Sequence, residues 1–435
     1  MNENDIYGVW LQQAVGEGSR KVPQLLMYFG SCKGVYEADE QELRLSGILG
    51  ERELFRFLDT RLEVAEEIID ACRRLDYSIL TPDSENYPER LRNIPDYPAA
   101  LYICGELPDI DNEVCISMVG TRRASRYGYT TATAIAKDLA AAGAVVISGC
   151  ARGIDSAAHQ GTLLSGGKTI AVLGCGINTR YNMDNEGLRK VISASGALVS
   201  EYPPGAPALS FHFPIRNRII SALSLGVIVV EAGEKSGSLI TANIALEQGK
   251  DIFSVPGAIN TYQAKGTNRL IFDGATPIES AADVLCEYVG KFPGKLNLAN
   301  LKDPDSRAFE KHVRPKWDRD AIAARYGITP EQLPDPAQKN GEQKQTADSG
   351  GKQPSDKQQR PDKRKKPYSA DESVPPVGMS EEAQRVWRAL NDVPKHFREL
   401  SDELGMDSDR LSRCLTELEL YSAVRALPGN KYSKG

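Results

Sequence analysis

Cys115-Ile116-Ser117-Met118-Val119 runs directly into Gly120-Thr121-Arg122-Arg123. A short, uninterrupted apolar run that ends at a glycine, a hydroxyl and two arginines reads as a buried parallel strand delivering a loop to a binding edge. The pattern recurs along the chain. Ala144–Ile147 precedes Ser148-Gly149-Cys150-Ala151-Arg152-Gly153-Ile154-Asp155, and Thr169–Leu173 precedes Gly174-Cys175-Gly176-Ile177-Asn178. Ala197–Val199 leads to Ser200-Glu201-Tyr202-Pro203-Pro204-Gly205, Val227–Val230 to the stretch from Glu231 to Thr241, and Asp251–Val255 to Pro256-Gly257. Helical patterns separate these runs, which predicts an α/β fold: a Rossmann-like, doubly wound parallel sheet covered on both faces.

In such a sheet ligands sit at the carboxyl ends of the strands, where helix N-termini present free N–H groups and partial positive charge. Gly120, Gly149, Gly174, Gly176 and Gly237 admit close approach of a phosphate, and Thr121, Ser236, Ser238 and Thr241 add hydroxyls. The stretch Phe211-His212-Phe213-Pro214 lies just before Arg216-Asn217-Arg218-Ile219-Ile220, so aromatic rings neighbour guanidinium groups, as stacking of unpaired bases and clamping of phosphates require. Phe211 is expected in the core and Phe213 at the surface. The residues expected to contact a polyanion are Gly120, Thr121, Arg122, Arg123, Arg152, Phe213, Arg216, Asn217, Arg218, Lys235 and Ser236.

Other chemistries fit less well. The strict dinucleotide fingerprint is missing, because Gly174-Cys175-Gly176 continues as Ile177-Asn178-Thr179. Gly166-Gly167-Lys168-Thr169 precedes a strand instead of opening a helix, so Lys168 is not a phosphate-loop lysine. Asp155 and His159, one helical turn apart, read either as an acid/base pair or as a helix-start carboxylate followed by a packed histidine, the commoner arrangement. Glu201 and Glu231 end strands at the binding edge, where they could activate water or bind loop amides and arginines. No catalytic residue, metal or cofactor is expected.

The net charge of −6 over 435 residues excludes bulk attraction to nucleic acid and leaves binding to a local basic site. Cysteines 32, 72, 104, 115, 150, 175, 286 and 414 are scattered without a CxxC pair, which suits reduced thiols. The acidic start, Met1 to Trp10, and the lack of any 18-residue apolar stretch predict a cytoplasmic chain away from membranes. Residues 1–78 read as short helices, with turns at Gly30, Gly47 and Gly50; a plain helical cap fits these turns better than a phosphate contact, since no Lys or Arg cluster adjoins them. Residues 79–290 form the main unit, in which prolines 82, 88, 95 and 98 make Ile79–Gly105 a connector. Residues 291–378 read as a mostly disordered polar linker, with a helical stretch at Arg319–Tyr326 and a basic run at Lys363-Arg364-Lys365-Lys366. Residues 379–435 carry three amphipathic patterns and a hairpin, a winged-helix arrangement. Its third helix holds Asp407, Asp409, Glu417 and Glu419 against Arg410 and Arg413, which suits a protein partner better than a phosphate-lined groove.

Taken in order, these motifs resemble the DNA-processing protein A (DprA/Smf) family. The resemblance covers residues 79–287: Tyr87-Pro88, Val119 to Arg122, Ser148-Gly149, Gly153-Ile154-Asp155, His159, Ser200-Glu201, Phe213 to Ile220, Ser236 to Leu239 with Thr241, and Val255-Pro256-Gly257. The N-terminal helices resemble the family's sterile-alpha-motif or helix-hairpin-helix appendage, and the C-terminus its winged helix. The resemblance implies a non-enzymatic single-stranded DNA-binding protein of natural transformation that protects incoming strands, forms a homodimer through the Rossmann-like domain and helps load the RecA recombinase. The chain departs from the pattern at Gly176-Ile177-Asn178, at Tyr181-Asn182-Met183 and at Ser210, where relatives often carry lysine; Arg180 and Lys235 could restore the lost charge. The alternative is a nucleoside-monophosphate phosphoribohydrolase of the same superfamily, whose Pro-Gly-Gly-x-Gly-Thr loop is replaced here by Glu231-Ala232-Gly233-Glu234-Lys235-Ser236-Gly237-Ser238.

Overall fold

In the computed structural model, which describes residues 4–301, 323–324, 327, 380–391, 395–420, 424–427 and 431–434, the apolar runs become neighbours in one sheet. Its strands are β1 (Ser78–Leu80), β2 (Leu101–Gly105), β3 (Cys115–Val119), β4 (Val145–Ser148), β5 (Thr169–Leu173), β6 (Ala197–Ser200), β7 (Gly226–Val229), β8 (Asp251–Ser254) and β9 (Thr276–Pro277). The spatial order is β1-β2-β6-β5-β4-β3-β7-β8-β9, parallel from β6 to β9. The expected connector thus contains two strands: β2 pairs antiparallel with β6, and β1 antiparallel with β2. The prolines fall in the loop between them, where a missing N–H breaks no ladder.

Successive strand residues face opposite sides. Ile170, Val172 and Val199 pack with helices α11 (His212–Ala222) and α12 (Gly237–Glu247), whereas Ala171, Leu173 and Leu198 pack with α10 (Glu186–Ser195) and the N-terminal helices. On that second face α8 (Arg126–Ala141) and α9 (Ile154–Leu164) cover β3, β4 and β7. The N-terminal helices run α1 (Asp5–Val15), α2 (Lys21–Phe29), α3 (Cys32–Glu37), α4 (Glu40–Ser46), α5 (Glu51–Asp59) and α6 (Leu62–Arg74). Their core residues Val9, Leu11, Leu25 and Phe57 belong to the same buried cluster as Tyr102, Leu188 and Val191, so this unit is fused to the β2–β6 flank of the sheet.

The strand order fixes where a ligand can enter. The chain winds outward from β3 through β4, β5 and β6, then returns to the other side of β3 as β7. Helices leave β3 and β7 toward opposite faces, which opens a crevice between their carboxyl ends.

Residues 291–301, assigned to the linker from their polarity, instead pack on the sheet: Phe292, Leu296, Leu298 and Leu301 extend the α8 cluster, and Asn297 N–H donates to the Ala142 carbonyl at 2.8 Å. Of the helix expected at Arg319–Tyr326, residues 323–324 are helical and the rest lies outside the described residues, as does the basic run at 363–366.

The C-terminal unit has helices Glu381–Ala389, Phe397–Leu404 and Ser408–Leu420, with a sheet ordered β10 (Lys395–His396), β12 (Lys431–Lys434), β11 (Val424–Leu427). Val386, Leu400, Leu411, Leu415 and Leu418 form its core, giving the winged-helix fold read from the three amphipathic patterns and the hairpin. Glu417 accepts from the backbone and hydroxyl of Ser380, and Arg410 pairs with Glu382, so part of the expected acidic helix surface caps and braces its own unit. Among the described residues no helix is long and apolar enough to cross a membrane.

Candidate nucleic-acid interface

The loop after β3 is shaped by close contacts. A Cβ on Gly120 would sit 2.5 Å from Ile154 Cγ1 and 2.9 Å from the Glu231 carbonyl, so only glycine allows β3, β7 and α9 to converge here. Gly153 starts α9 at φ +83°, and a Cβ there would meet the Thr121 carbonyl at 2.3 Å. Thr121 N–H donates to the Glu231 carbonyl at 2.7 Å, pinning the loop across the crevice. Arg122 and Arg123 are left exposed beyond this pin.

Helix α11 supplies the opposite wall. Phe213, Arg216 and Asn217 lie three and four residues apart and share one face. The Arg122 guanidinium stands 5.3 Å from the Phe213 ring centroid and that of Arg216 stands 5.9 Å from it, while Tyr181 packs against the same ring at 5.1 Å. Arg216 is 4% exposed and donates to the carbonyls of Gly149, at 2.9 Å, and Val172. Burial pulls its pKa down and the nearby Asp155 carboxylate opposes this; burial raises Asp155 in turn, with Arg216 holding it down. Asp155 instead accepts from Ala151 N–H at 3.3 Å, and among the described residues it forms no direct ion pair with Arg216. The third wall is the start of α12, capped by the Ser236 hydroxyl, which accepts from Ser238 N–H. Together these segments enclose about 420 Å³.

Of the sequence-read residues, Gly120, Thr121, Arg122, Arg123, Phe213, Arg216, Asn217 and Ser236 line this one cleft. Three do not. Arg218, two residues past Arg216, points away from it and is buried against Glu201 at 2.7 Å and Asp96 at 3.5 Å, so it is spent on an internal ion network. Arg152 pairs with Asp184 at 2.5 Å on the surface, and Lys235 is exposed on the loop before α12, outside the cleft wall. The expected core position of Phe211 is wrong, since it is 59% exposed, while Phe213, expected at the surface, is half-buried in the cleft wall. The cause is His212, which opens α11 by stacking on Tyr202 at 4.0 Å and thereby turns its predecessor outward. The buried Asp155 was missed as part of the cleft, and Tyr181, which packs on Phe213 without lining the cleft, was not anticipated because only the chain's return past β5 brings it there. Ser210, the departure from the lysine pattern, lines the same cleft.

His159 is fully buried. Thr169 donates its hydroxyl proton to the Val146 carbonyl, so its oxygen accepts from His159 Nδ1 at 2.7 Å. Burial, with Arg216 adding to it, lowers the imidazole to about 3, leaving a neutral packing residue rather than an acid/base partner for Asp155. Glu231 accepts from Ser125 N–H at 2.8 Å and from its hydroxyl, and Glu201 from Arg218 and Gly18 N–H; both bind loop amides, and Glu201 a cation as well. Among the described residues no group of His, Cys, Asp and Glu is placed to hold a metal ion.

Comparison with known proteins bears on this arrangement. Residues 78–289 match the family described as DNA recombination-mediator protein A, and residues 369–430 match the DprA winged helix domain. The chain is 43% identical over 202 residues to the DNA processing protein DprA of Streptococcus pneumoniae, covering 46% of this chain and 71% of that protein. It is 40% identical over 235 residues to Protein Smf of Escherichia coli, covering 54% of this chain and 63% of that one. The X-ray structure of DNA processing protein A from Streptococcus pneumoniae superposes with a TM-score of 0.59 at 32% identity, covering 66% of this chain and 99% of that chain. Matched over both its Rossmann-like sheet and its winged helix, the chain belongs to the DNA-processing protein A (DprA/Smf) family.

Proposed function

We propose that the chain is a DNA-processing protein that binds single-stranded DNA at the β3–β7 crevice and performs no chemistry there. The carrying observation is the Arg122–Phe213–Arg216 cluster: one ring flanked by two guanidinium groups, with Arg122 exposed and making no ion pair among the described residues. Guanidinium groups and helix-start amides suit phosphates, and an aromatic face suits any unpaired base, whereas nothing in the cleft is shaped to read base edges in a duplex groove.

Several readings follow from the family and rest on it. Binding would shield incoming single strands during transformation and present them to the RecA recombinase. Self-association as a homodimer is supported by Leu246 on α12, 67% exposed, and Phe272 on α13 (Lys265–Phe272), 82% exposed, large apolar groups that the described residues leave open. The absence of a Gly-Gly-x-Gly-Thr loop and the neutral, buried His159 weigh against the phosphoribohydrolase alternative.

The test is competition between a single-stranded oligonucleotide and its duplex at moderate salt. Preference for the single strand supports the proposal, and equal affinity contradicts it. Release of ribose 5-phosphate from AMP in proportion to protein would overturn the non-enzymatic reading.

A further inference from the structure

A second cavity of about 400 Å³ lies beside the cleft, at the carboxyl ends of β7 and β8. The loop from Gly120 to Ser125 divides the two: Thr121 and Arg123 line the cleft, Ser125 the cavity. Their electrostatics are opposite. The cleft holds three arginines. The cavity is walled by Val230, Val255, Pro256 and Ala264 together with the uncharged polar residues Tyr127, Thr261, Gln263 and Thr267, and its one charged residue is Glu231, which is 5% exposed.

The Glu231 carboxylate receives two hydrogen bonds, both from Ser125, and no cation pairs with it among the described residues. Each carboxylate oxygen has a lone pair left over. A buried anion repels phosphate and favours a neutral or cationic group bearing N–H donors. The volume falls within the range of small-molecule sites, and apolar walls interrupted by a few polar groups, Glu231 the charged one, suit a flat heterocycle. Glu231 also joins the two compartments, because its own carbonyl accepts from Thr121 N–H at 2.7 Å while its side chain meets Ser125.

We propose that this cavity takes a nucleobase carrying an exocyclic amine, whose N–H donors bind Glu231 and whose ring lies against Val230, Val255 and Pro256. The inference rests on the nucleic-acid reading of the neighbouring cleft for its strand-borne form. Thymine would be disfavoured, since it lacks an amine and sets carbonyl oxygens toward the carboxylate. The base could belong to a bound strand or to a free nucleoside.

The full chain is titrated with two fluorescent probes: free 2-aminopurine deoxyriboside, and an otherwise all-thymidine oligonucleotide carrying one 2-aminopurine. An all-thymidine oligonucleotide serves as reference. A strand-borne base is expected to change 2-aminopurine emission saturably and to bind about tenfold tighter than the reference. Ala258→Phe places a ring on the exposed rim of the cavity and is expected to abolish that gain, leaving the reference affinity and its salt dependence unchanged. Glu231→Gln, which removes the charge at nearly constant shape, is expected to reduce the gain. Saturable binding of the free deoxyriboside, lost in Ala258→Phe, assigns the same cavity to a free nucleoside, even if no strand binds and the cleft reading fails. If neither probe distinguishes wild type from Ala258→Phe while the reference strand binds, the cavity proposal is overturned and the cleft reading stands. If neither probe and no strand binds, both are overturned.

Discussion

Arg218 donates to Glu201 across 2.7 Å, and the same carboxylate oxygen accepts the backbone N–H of Gly18 at 3.1 Å. One ion pair therefore clamps three segments: α11, the end of β6 and the turn between α1 and α2. It fixes the helix whose other face carries Phe213 and Arg216. Two arginines separated by a single residue thus do different work, Arg218 holding the wall and Arg216 forming its charged surface.

Arg218→Ala is expected to destabilise the fold by about 3–5 kcal/mol, because it strands the Glu201 carboxylate, 1% exposed as a side chain, without its cation. The measurement is urea unfolding. An unchanged midpoint would mean that the network contributes nothing and that α11 is held by apolar packing alone.

Removing the Phe213 ring should weaken single-strand binding by about 1–3 kcal/mol without altering its salt dependence, since stacking involves no counterion release. Phe211→Ala, which deletes a 59% exposed ring outside the cleft wall, is the control and should bind normally. Equal losses from both substitutions would remove Phe213 from the account.

His159 supplies a pH dependence. Its folded pKa is lowered from 6.5 to about 3, so the unfolded chain binds the extra proton between those values. Its contribution to stability is complete above about pH 6.5 and is lost as pH falls toward 3, amounting to about 2 kcal/mol by pH 5. In His159→Gln the difference in unfolding free energy between pH 7 and pH 5 should shrink by that amount. A variant with the wild-type difference would show that the imidazole titrates normally.

Deletion of residues 379–435 should leave single-strand affinity largely intact. The proposed contacts all lie within residues 120–241, and in the winged-helix unit Arg410 is committed to Glu382 while Asp407 caps the third helix by accepting from Arg410 N–H. A large loss, with the remaining chain still folded, would assign DNA contact to the winged helix.

The sheet was legible because β3 to β8 are buried on both faces and therefore read as continuous apolar runs. Strands β1 and β2 escaped because the surrounding prolines dominate the pattern; Leu101–Gly105 is just as apolar but sits at the antiparallel flank, where such breakers are tolerated. In the cleft, glycine, hydroxyl and arginine positions after β3 were readable from the loop itself. The direction of side chains on α11 was not. Helical phase depends on His212 turning inward to Tyr202, a contact between segments ten residues apart, and that phase decides that Arg216 faces the cleft, Arg218 faces Glu201 and Phe211 faces solvent. Polarity likewise misplaced residues 291–301, whose few apolar side chains suffice to cover the exposed edge of the α8 cluster.

The central claim is that the β3–β7 cleft binds phosphate through its arginines. Arg122 tests it most directly: it is exposed and unpaired among the described residues, whereas Arg216 also satisfies the carbonyls of Gly149 and Val172 and could not be removed without disturbing them. The measurement is the slope of log affinity against log salt for a single-stranded oligonucleotide, in the wild type and in Arg122→Ala. The account predicts weaker binding with a slope lower by about 0.7, one phosphate contact, and an unchanged unfolding midpoint. Wild-type affinity with an unaltered slope would contradict it.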